Sequence, residues 1–500
     1  AEPMPIHRTG VLTRGNFLHS TDEVIPHFRK VTEPVKEAGA VMIQQLYHIG
    51  AHGDSDLSFA PHWSPSGGPS YHDSDGSHAM AGAEIEEMIE AHIAAAIRCQ
   101  KAGFQGVEVW AAYHSLLDQF WTPWSNKRTD KWGGSLENRT RLSRTIVEGI
   151  RRACGEDFII GLAISTSNLF EVTLKGEALT EIVALHDATG DIDYVTCGYG
   201  GYLDFEPLIP TFLHGEKLTA PYTETLKAVL KHAKITSEAH IRTPENAESA
   251  IASGQADMVS IVRGQIADPH LARKTLEGRA GDVRGCISCN QMCWGRRNRD
   301  YWISCLINPS AGREFEWGGD RFAPAVTPRH IVVVGAGPAG LEATRAAAER
   351  GHRVDLFEAQ SRIGGQFRLA GEQPRRAQIL DLLDWYERQF KKLQVRVHLN
   401  TYADADDIRA LRPDVVVLAT GSLPDDSGFQ RWMPEFDRLP GVAKGNVWSP
   451  EEVMRREARL GNRVILYDEG GNLRGLGTAW AMAERGLYVT VVTPEPFFCL

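Results

Sequence analysis

Apolar strand-like runs that alternate with amphipathic helical stretches predict an α/β protein. The expected order is a (β/α)8 TIM barrel over residues 1–280, a connector over 281–328, and a Rossmann-like α/β domain over 329–500. Three observations carry this reading. Strand and helix patterns recur between residues 35 and 280, at roughly 30–50 residues per unit, the pace of an α/β barrel. A run of cysteines then breaks the pattern. At residue 330 it restarts with a strand, a glycine turn and an Ala-rich helix.

In the first part, AVMIQQL (40–46), FQGVEVW (104–110), FIIGLAI (158–164), IDYVTCG (192–198), KITSEAH (234–240) and ADMVSIV (256–262) read as buried parallel strands. EIEEMIEAHIAAAIRCQKAG (84–103) and ENRTRLSRTIVEGIRRACG (137–155) read as helices between them. Six of eight barrel strands are visible, so the opening units are expected to precede residue 1. The second domain likewise reads as stopping short, after the strand–helix–strand unit at 462–494.

Composition narrows the function classes. A chain of 500 residues exceeds one hydrophobic core. Its net charge of −10 has both signs scattered, which argues against a nucleic-acid surface. No apolar run reaches the roughly 18 residues of a membrane span. AEPMPIHRTG does not resemble a signal peptide. Four of the eight cysteines fall between 286 and 305, and Cys99, Cys154, Cys197 and Cys499 are scattered. That clustering in a large chain favours a metal site in a reducing compartment over a disulfide scaffold, so a cytoplasmic protein is expected.

The run is C-x2-C-x3-C-x11-C, at Cys286, Cys289, Cys293 and Cys305. Soft thiolates hold iron–sulfur clusters, and three close cysteines plus a distant fourth suit a cuboidal 4Fe-4S cluster. Structural zinc, which favours paired C-x2-C units, and unligated buried thiols are the alternatives.

GAGPAG places Gly335, Gly337 and Gly340 between an apolar strand and a helix. These glycines suit a tight turn, close approach to a pyrophosphate, and close helix–strand packing. Glu358 ends the next strand, where a carboxylate holds ribose hydroxyls. Gln366 in GGQ (364–366) and VVVLATGS (415–422) extend the signal toward FAD or ADP. The later loop EGGNLRGLGTA lacks the glycine register, and Asp468 and Glu469 would repel a pyrophosphate. It reads as a Rossmann-shaped unit without NAD, with a reductase site as the alternative.

The order of barrel, cysteines and GAGPAG, together with QLYHIG (45–50), NKRTDKWGGSLENR (126–139) and ADMVSIVRG (256–264), resembles one family. It is the trimethylamine dehydrogenase and 2,4-dienoyl-CoA reductase branch of the old yellow enzymes. The resemblance covers nearly the whole chain. It implies FMN on the barrel, a 4Fe-4S cluster at its edge, and FAD or ADP on the second domain. It implies that Gln45 bonds the FMN pyrimidine and that Arg263, with Gly264, holds the phosphate. NKRTDKWGGSLENR is expected to support the barrel top. Any flavin-attachment cysteine would precede residue 1.

The departures point to the chemistry. Ala163 stands where the family carries an arginine beside the flavin. His240, followed by Arg242, stands at a phosphate-side arginine, and His240 is assigned to cofactor binding. Ene-reductases of this family grip a carbonyl with His–x–x–His/Asn and donate a proton from a following tyrosine. Here those positions are Trp110, Tyr113 and Ser115. Aromatic faces suit a cationic methylated amine instead. His52, His62, His72 and His78 surround a Gly/Ser/His-rich stretch (64–79) expected to act as a lid; His48 is a structural or a pocket residue.

The function expected is oxidative N-demethylation of a small methylated amine, such as N-methylproline or dimethylglycine. Trp110 and Tyr113 would surround the nitrogen, and Tyr113 or His114 would take its proton. Electrons would leave through the cluster to an electron-transfer flavoprotein or to NAD(P). An NAD(P)H-dependent enoate or dienoyl-CoA reductase, which the cysteine spacing favours, and a non-catalytic electron-transfer scaffold are the rivals. A homo-oligomer is expected, with no nucleic-acid or membrane partner.

Overall fold

The computed structural model describes residues 3–12, 18–70, 76–167, 172–299, 301–319 and 322–498. The chain divides into two compact units, residues 1–262 with 290–303, and residues 263–289 with 304–500.

The first unit contains β1 (Met4–Pro5), β2 (Ile43–Tyr47), β3 (His62–Ser64), β4 (Ser77–Ala79), β5 (Gly106–Ala111), β6 (Ile159–Thr166), β7 (Tyr194–Tyr199), β8 (Lys234–Ser237) and β9 (Met258–Val259). Seven of them form one sheet in the order β1-β2-β5-β6-β7-β8-β9. Every pair is parallel. The six strands expected from the sequence are all present, but ADMVSIV contributes only the two residues Met258–Val259, which are not buried. β1 was not expected: two residues with a proline carry no readable period.

Alternation along the strands sorts side chains to two faces. Leu46, Val107, Val109, Ile160, Leu162, Val195 and Ile235 are fully buried on one face. They share a core with Ile85, Met88 and Ala95 of the helix Gly82–Lys101, with Leu142 and Ile146 of Leu136–Cys154, and with Leu179 and Ile182 of Gly176–Asp187. The i, i+3 or i+4 spacing of such residues gives each helix its apolar stripe. Each fully buried Leu or Ile contributes roughly 1.5–3 kcal/mol. The opposite face is polar and aromatic, in rows set by register. One row is Gln45, Glu108, Gly161 and Tyr194, and the next is Trp110, Ala163, Thr196 and Thr236.

The NKRTDKWGGSLENR segment has the supporting role expected of it. Asn126 Nδ2 donates to the carbonyls of Phe120 and Trp132, and Arg128 donates to those of Pro65 and Met80. The expected lid is tied at both ends, because β3 and β4 pair in parallel. His62 is fully buried, with Nδ1 2.8 Å from the Thr9 carbonyl, whereas His78 is exposed beside Glu84. His72 lies outside the described residues.

The second unit holds a four-stranded parallel sheet of β10 (His330–Val334), β11 (Arg353–Phe357), β12 (Arg396–His398) and β13 (Val415–Leu418). The order β12-β11-β10-β13 is that of a Rossmann half. β14 (Arg463–Tyr467) and β15 (Tyr488–Val492) pair in parallel around the helix Leu473–Glu484. Among the described residues, no helix is long and apolar enough to cross a membrane.

A buried carboxylate ties three strands of this sheet. Asp355 on β11 accepts from His330 Nε2 at 2.7 Å, from His398 Nε2 at 2.9 Å, and from Arg396. Burial alone would raise the Asp355 carboxyl, but His398, His330 and Arg396 outweigh it and hold it below the usual range. Its stabilisation is therefore present above the ordinary carboxylate range and is lost as pH falls through the depressed folded value. Replacing Asp355 with Asn should destabilise the second unit by about 1.5–3 kcal/mol at neutral pH. Urea unfolding at stepped pH should show that gap narrowing in acid; a pH-independent gap would contradict the assignment.

Candidate active site

The C-terminal ends of the first unit's strands converge on one site. After β5 the chain turns through Tyr113 and His114, both in the left-handed region, with φ of 61° and 63°. Such backbone costs of order 1–3 kcal/mol for a non-glycine residue and persists only where surroundings hold it. Here Tyr113 N donates to Ser165 Oγ at 2.6 Å, and His114 N donates to Asp118 Oδ2 at 2.7 Å. The turn packs Tyr113 against Trp110, with ring centroids 5.3 Å apart. Ala112, Ala163, Tyr202 and Leu208 complete the cluster. A β-carbon on Gly198 would run into the Tyr113 hydroxyl, so the ring lies directly over that glycine.

Two carboxylates line the same interior. Glu108 accepts from Gln45 Nε2 at 2.5 Å and from Thr196 Oγ1 at 2.8 Å. Tyr194 also bonds Glu108, and burial pushes that phenol far up. Glu238 follows β8 and accepts from the Tyr113 hydroxyl at 3.4 Å. Burial, with the Glu108 charge added, pushes the Glu238 carboxyl up to about 7. Burial and Glu238 push Tyr113 well above an ordinary phenol, so it offers an O–H and not a phenolate.

A histidine chain borders this cluster. Ser125 Oγ donates to the Gln119 carbonyl at 2.8 Å, so it accepts from His114 Nε2–H at 3.3 Å. His114 Nδ1 is then an acceptor and takes the proton of His52 Nε2 at 2.8 Å. Burial lowers His114 to about 4, so the ring is neutral at pH 7. His52 also packs against Tyr202, at 5.5 Å between ring centroids. His48 belongs to a separate buried chain. Gly50 N donates to its Nδ1 at 3.0 Å, and its Nε2–H donates to Thr9 Oγ1 at 2.9 Å.

The residues expected at the flavin fall in different places. Gln45 projects from β2 onto the polar face. His240 is buried three residues past β8. Arg263 and Gly264 open the helix Arg263–Ala267, which belongs to the second unit. The donor chemistry of the polar face fits a flavin's carbonyl-bearing edge: the Gln45 amide has a second N–H beyond the one given to Glu108, and Trp110 Nε1–H is buried with no acceptor among the described residues. Glu238, Glu108 and Tyr202 were not singled out from sequence, and His52 was assigned only to the stretch expected to act as a lid. Glu238 carried a signal, an acid at the end of a barrel strand, but KITSEAH was read as strand to residue 240, whereas β8 ends at Ser237.

In the second unit, the GAGPAG loop has the shape its glycines require. Gly335 has φ +99°, and a β-carbon there or on Gly340 would collide with backbone. A β-carbon on Gly337 would meet open space, the side left free for a ligand. The helix Pro338–Glu349 starts there with its N–H groups outward. Glu358 accepts from Ala336 N and from Gln360 N, each at 2.8 Å, so it braces the glycine turn; a carboxylate has lone pairs left for a ribose. Gln366 Nε2 donates to the Ser422 carbonyl at 2.7 Å. The loop after β14 differs. Asp468 Oδ1 accepts from Gly470 N at 3.1 Å and Gly471 N at 3.2 Å, taking donors that a phosphate would need.

Of the four clustered cysteines, Cys286, Cys289 and Cys305 pack against the second unit's core beside Ile287 and Ile307. Cys286 Sγ accepts from Ser288 N at 3.3 Å, and Cys305 Sγ accepts from the Ile307 and Asn308 amides. N–H donors to sulfur in apolar surroundings are the chemistry of iron–sulfur thiolates. Cys293 lies in the segment 290–303, which groups with the first unit. Among the described residues, no three metal-ligating side chains stand close enough to hold an ion.

Residues 1–282 match the profile of the NADH:flavin oxidoreductase / NADH oxidase family, and residues 330–487 match FAD dependent oxidoreductases. The chain belongs to the NADH:flavin oxidoreductase / NADH oxidase family. It is an oxidoreductase with an FMN-type and an FAD-type domain. The resemblance drawn from its motifs holds at this level. N,N-dimethylglycine/sarcosine dehydrogenase of Chromohalobacter salexigens is 34% identical over 95% of this chain and 68% of that protein. Probable N-methylproline demethylase of Rhizobium meliloti is 34% identical over 97% and 70%. The structure of 2-naphthoyl-CoA reductase with 2-naphthoyl-CoA matches with a TM-score of 0.92 and 31% identity, over 100% of this chain and 75% of that one. Family members therefore include amine oxidants and reductases.

Gly337 and Gly340 of GAGPAG should separate on substitution. Gly340→Ala should destabilise the second unit by about 1–3 kcal/mol, the cost of overpacking. Gly337→Ala should unfold like wild type yet purify with its adenine nucleotide depleted. Thermal unfolding and chromatography of released nucleotide check both; full retention by Gly337→Ala would contradict the placement.

Proposed function

We propose that this enzyme oxidatively demethylates a small methylated amine or N-methyl amino acid, such as N-methylproline or dimethylglycine, to formaldehyde and the demethylated amine. The sequential parallel strands of the first unit support a (β/α)8 barrel whose C-terminal end holds the substrate. The observation that carries the reading is the Trp110–Tyr113 pair, 5.3 Å apart at the strand ends, where the family's carbonyl-gripping side chains would stand. Aromatic faces attract a methylated ammonium and leave an enone carbonyl unpolarised. Ser115, at the reductase proton-donor position, is fully buried.

Gln45, His240, Arg263 and Gly264 would hold FMN, which when bound supplies a two-electron oxidant. Cys286, Cys289, Cys293 and Cys305 would hold a 4Fe-4S cluster, which supplies single-electron relay. Gly335, Gly337, Gly340, Glu358 and Gln366 would hold FAD or ADP. The protein's own work is to bind the amine and take its proton. The aromatic walls bind the ammonium, and loss of its proton frees the lone pair that assists departure of a hydride equivalent from the N-methyl carbon. Neutral His114, reached through His52, accepts the ammonium proton and passes one on toward Ser125. Tyr113, kept protonated by burial, orients the substrate. Because Asp468 fills the loop after β14, the reading favours an electron-transfer flavoprotein over NAD(P) as acceptor.

The C-x2-C-x3-C-x11-C spacing sustains the enoate reductase as a second reading. Anaerobic mixing decides between them. Bleaching of the flavin by N-methylproline or dimethylglycine, with formaldehyde formed, is the expected result. Bleaching by NAD(P)H and by no amine would sink the proposal, and bleaching by neither leaves the scaffold. Trp110→Leu should raise the amine KM by about tenfold or more through lost cation–π contact. Cys286→Ser should lower iron and acid-labile sulfide together and leave the flavin in place; unchanged iron content would remove Cys286 from the ligand set.

A further inference from the structure

We infer that Glu238 is the counter-charge that selects a cationic ammonium in the aromatic site, making it a specificity-determining residue. The inference rests on the amine reading above and names what within the site reads the amine's charge.

Glu238 sits just past the C-terminal end of β8, the barrel position from which side chains reach bound substrates. It meets the Tyr113 hydroxyl at 3.4 Å, and Tyr113 in turn packs on Trp110. One carboxylate thus borders the same two rings that suit a methylated cation. The groups that face Glu238 are Glu108 from β5, Tyr113 from the turn after β5, and Cys197 from β7. None is a cation, and among the described residues no Lys or Arg pairs with Glu238. A carboxylate held among an acid, a phenol and a thiol is stabilised by whatever cation enters beside it. Tyr113 uses one acceptor position of Glu238 and leaves others for an N–H donor. The group is only half-buried, so the space beside it is accessible. Its elevated carboxyl supports the same view, since an arriving ammonium would draw it back to the ionised form.

Calorimetric titration of the holoenzyme with tetramethylammonium and with neutral tert-butanol tests this. The cation has no proton to lose, so any pH dependence belongs to the protein. Wild type should prefer the cation, and Glu238→Gln should weaken cation binding by about tenfold or more while leaving the alcohol unchanged. Glu238→Asp should keep the preference. In wild type, cation affinity should fall as pH drops through about 7, where Glu238 takes up its proton. Equal loss for cation and alcohol, or no loss for either, would overturn the inference. Should Glu238→Gln fail to fold, a pH-independent cation affinity in wild type overturns it alone. If no methylated amine bleaches the flavin but cation selectivity depends on Glu238, the demethylation reading falls and this inference stands. If Glu238→Gln is reduced by the amine with unchanged KM and pH profile, the inference falls and the reading stands.

Discussion

A carboxylate inside a sheet-lined interior must be surrounded by donors or by a cation, and the first unit is organised around that demand. Glu108 meets it with its neighbours: Gln45 from β2, Thr196 and Tyr194 from β7. The contacts from β7 reach across β6, which lies between it and β5, so they span the polar face. Glu238 meets it only in part, with one long contact to Tyr113. The difference separates a structural carboxylate from one poised for a ligand. Burial without full pairing is costly, and proteins keep such groups where a bound partner completes them.

The turn after β5 is the second device. Two consecutive left-handed residues swing Tyr113 across Gly198 toward Glu238 and send His114 toward His52. Gly198 is needed because any side chain would occupy the ring's place. Ser165 and Asp118 anchor the strained amides. One short turn thereby divides the site into an aromatic wall that meets Glu238 and the His114–His52 pair. Their opposite shifts, Tyr113 held up and His114 held down, both come from burial.

Much of this architecture was legible in the sequence, because its signals are local. The parallel strands and the GAGPAG turn each occupy a few adjacent residues, and each appears where expected. Trp110, Tyr113 and His114 were legible because a strand-end loop announces itself. Glu238 was not, since its meaning depends on Tyr113, distant in the chain. His52 was legible only as part of the expected lid, for the same reason: its partner His114 lies on another strand's loop. β1 escaped because so short an element has no period to detect.

The two glycine loops of the second unit show how one fold turns a binding site on or off. After β10, Glu358 braces the turn from its far side and Gly337 faces open space, so the helix N-terminus keeps its donors for a ligand. After β14, Asp468 reaches into the loop and accepts from the amides of Gly470 and Gly471, just ahead of the helix. A β-carbon at Gly475 would collide with this carboxylate, so the loop is packed around it. An incoming phosphate would have to displace an anion already bonded to the same amides, and the two charges repel. The carboxylate thus serves as a covalently attached stand-in for the phosphate. It satisfies the loop's amides without a dinucleotide.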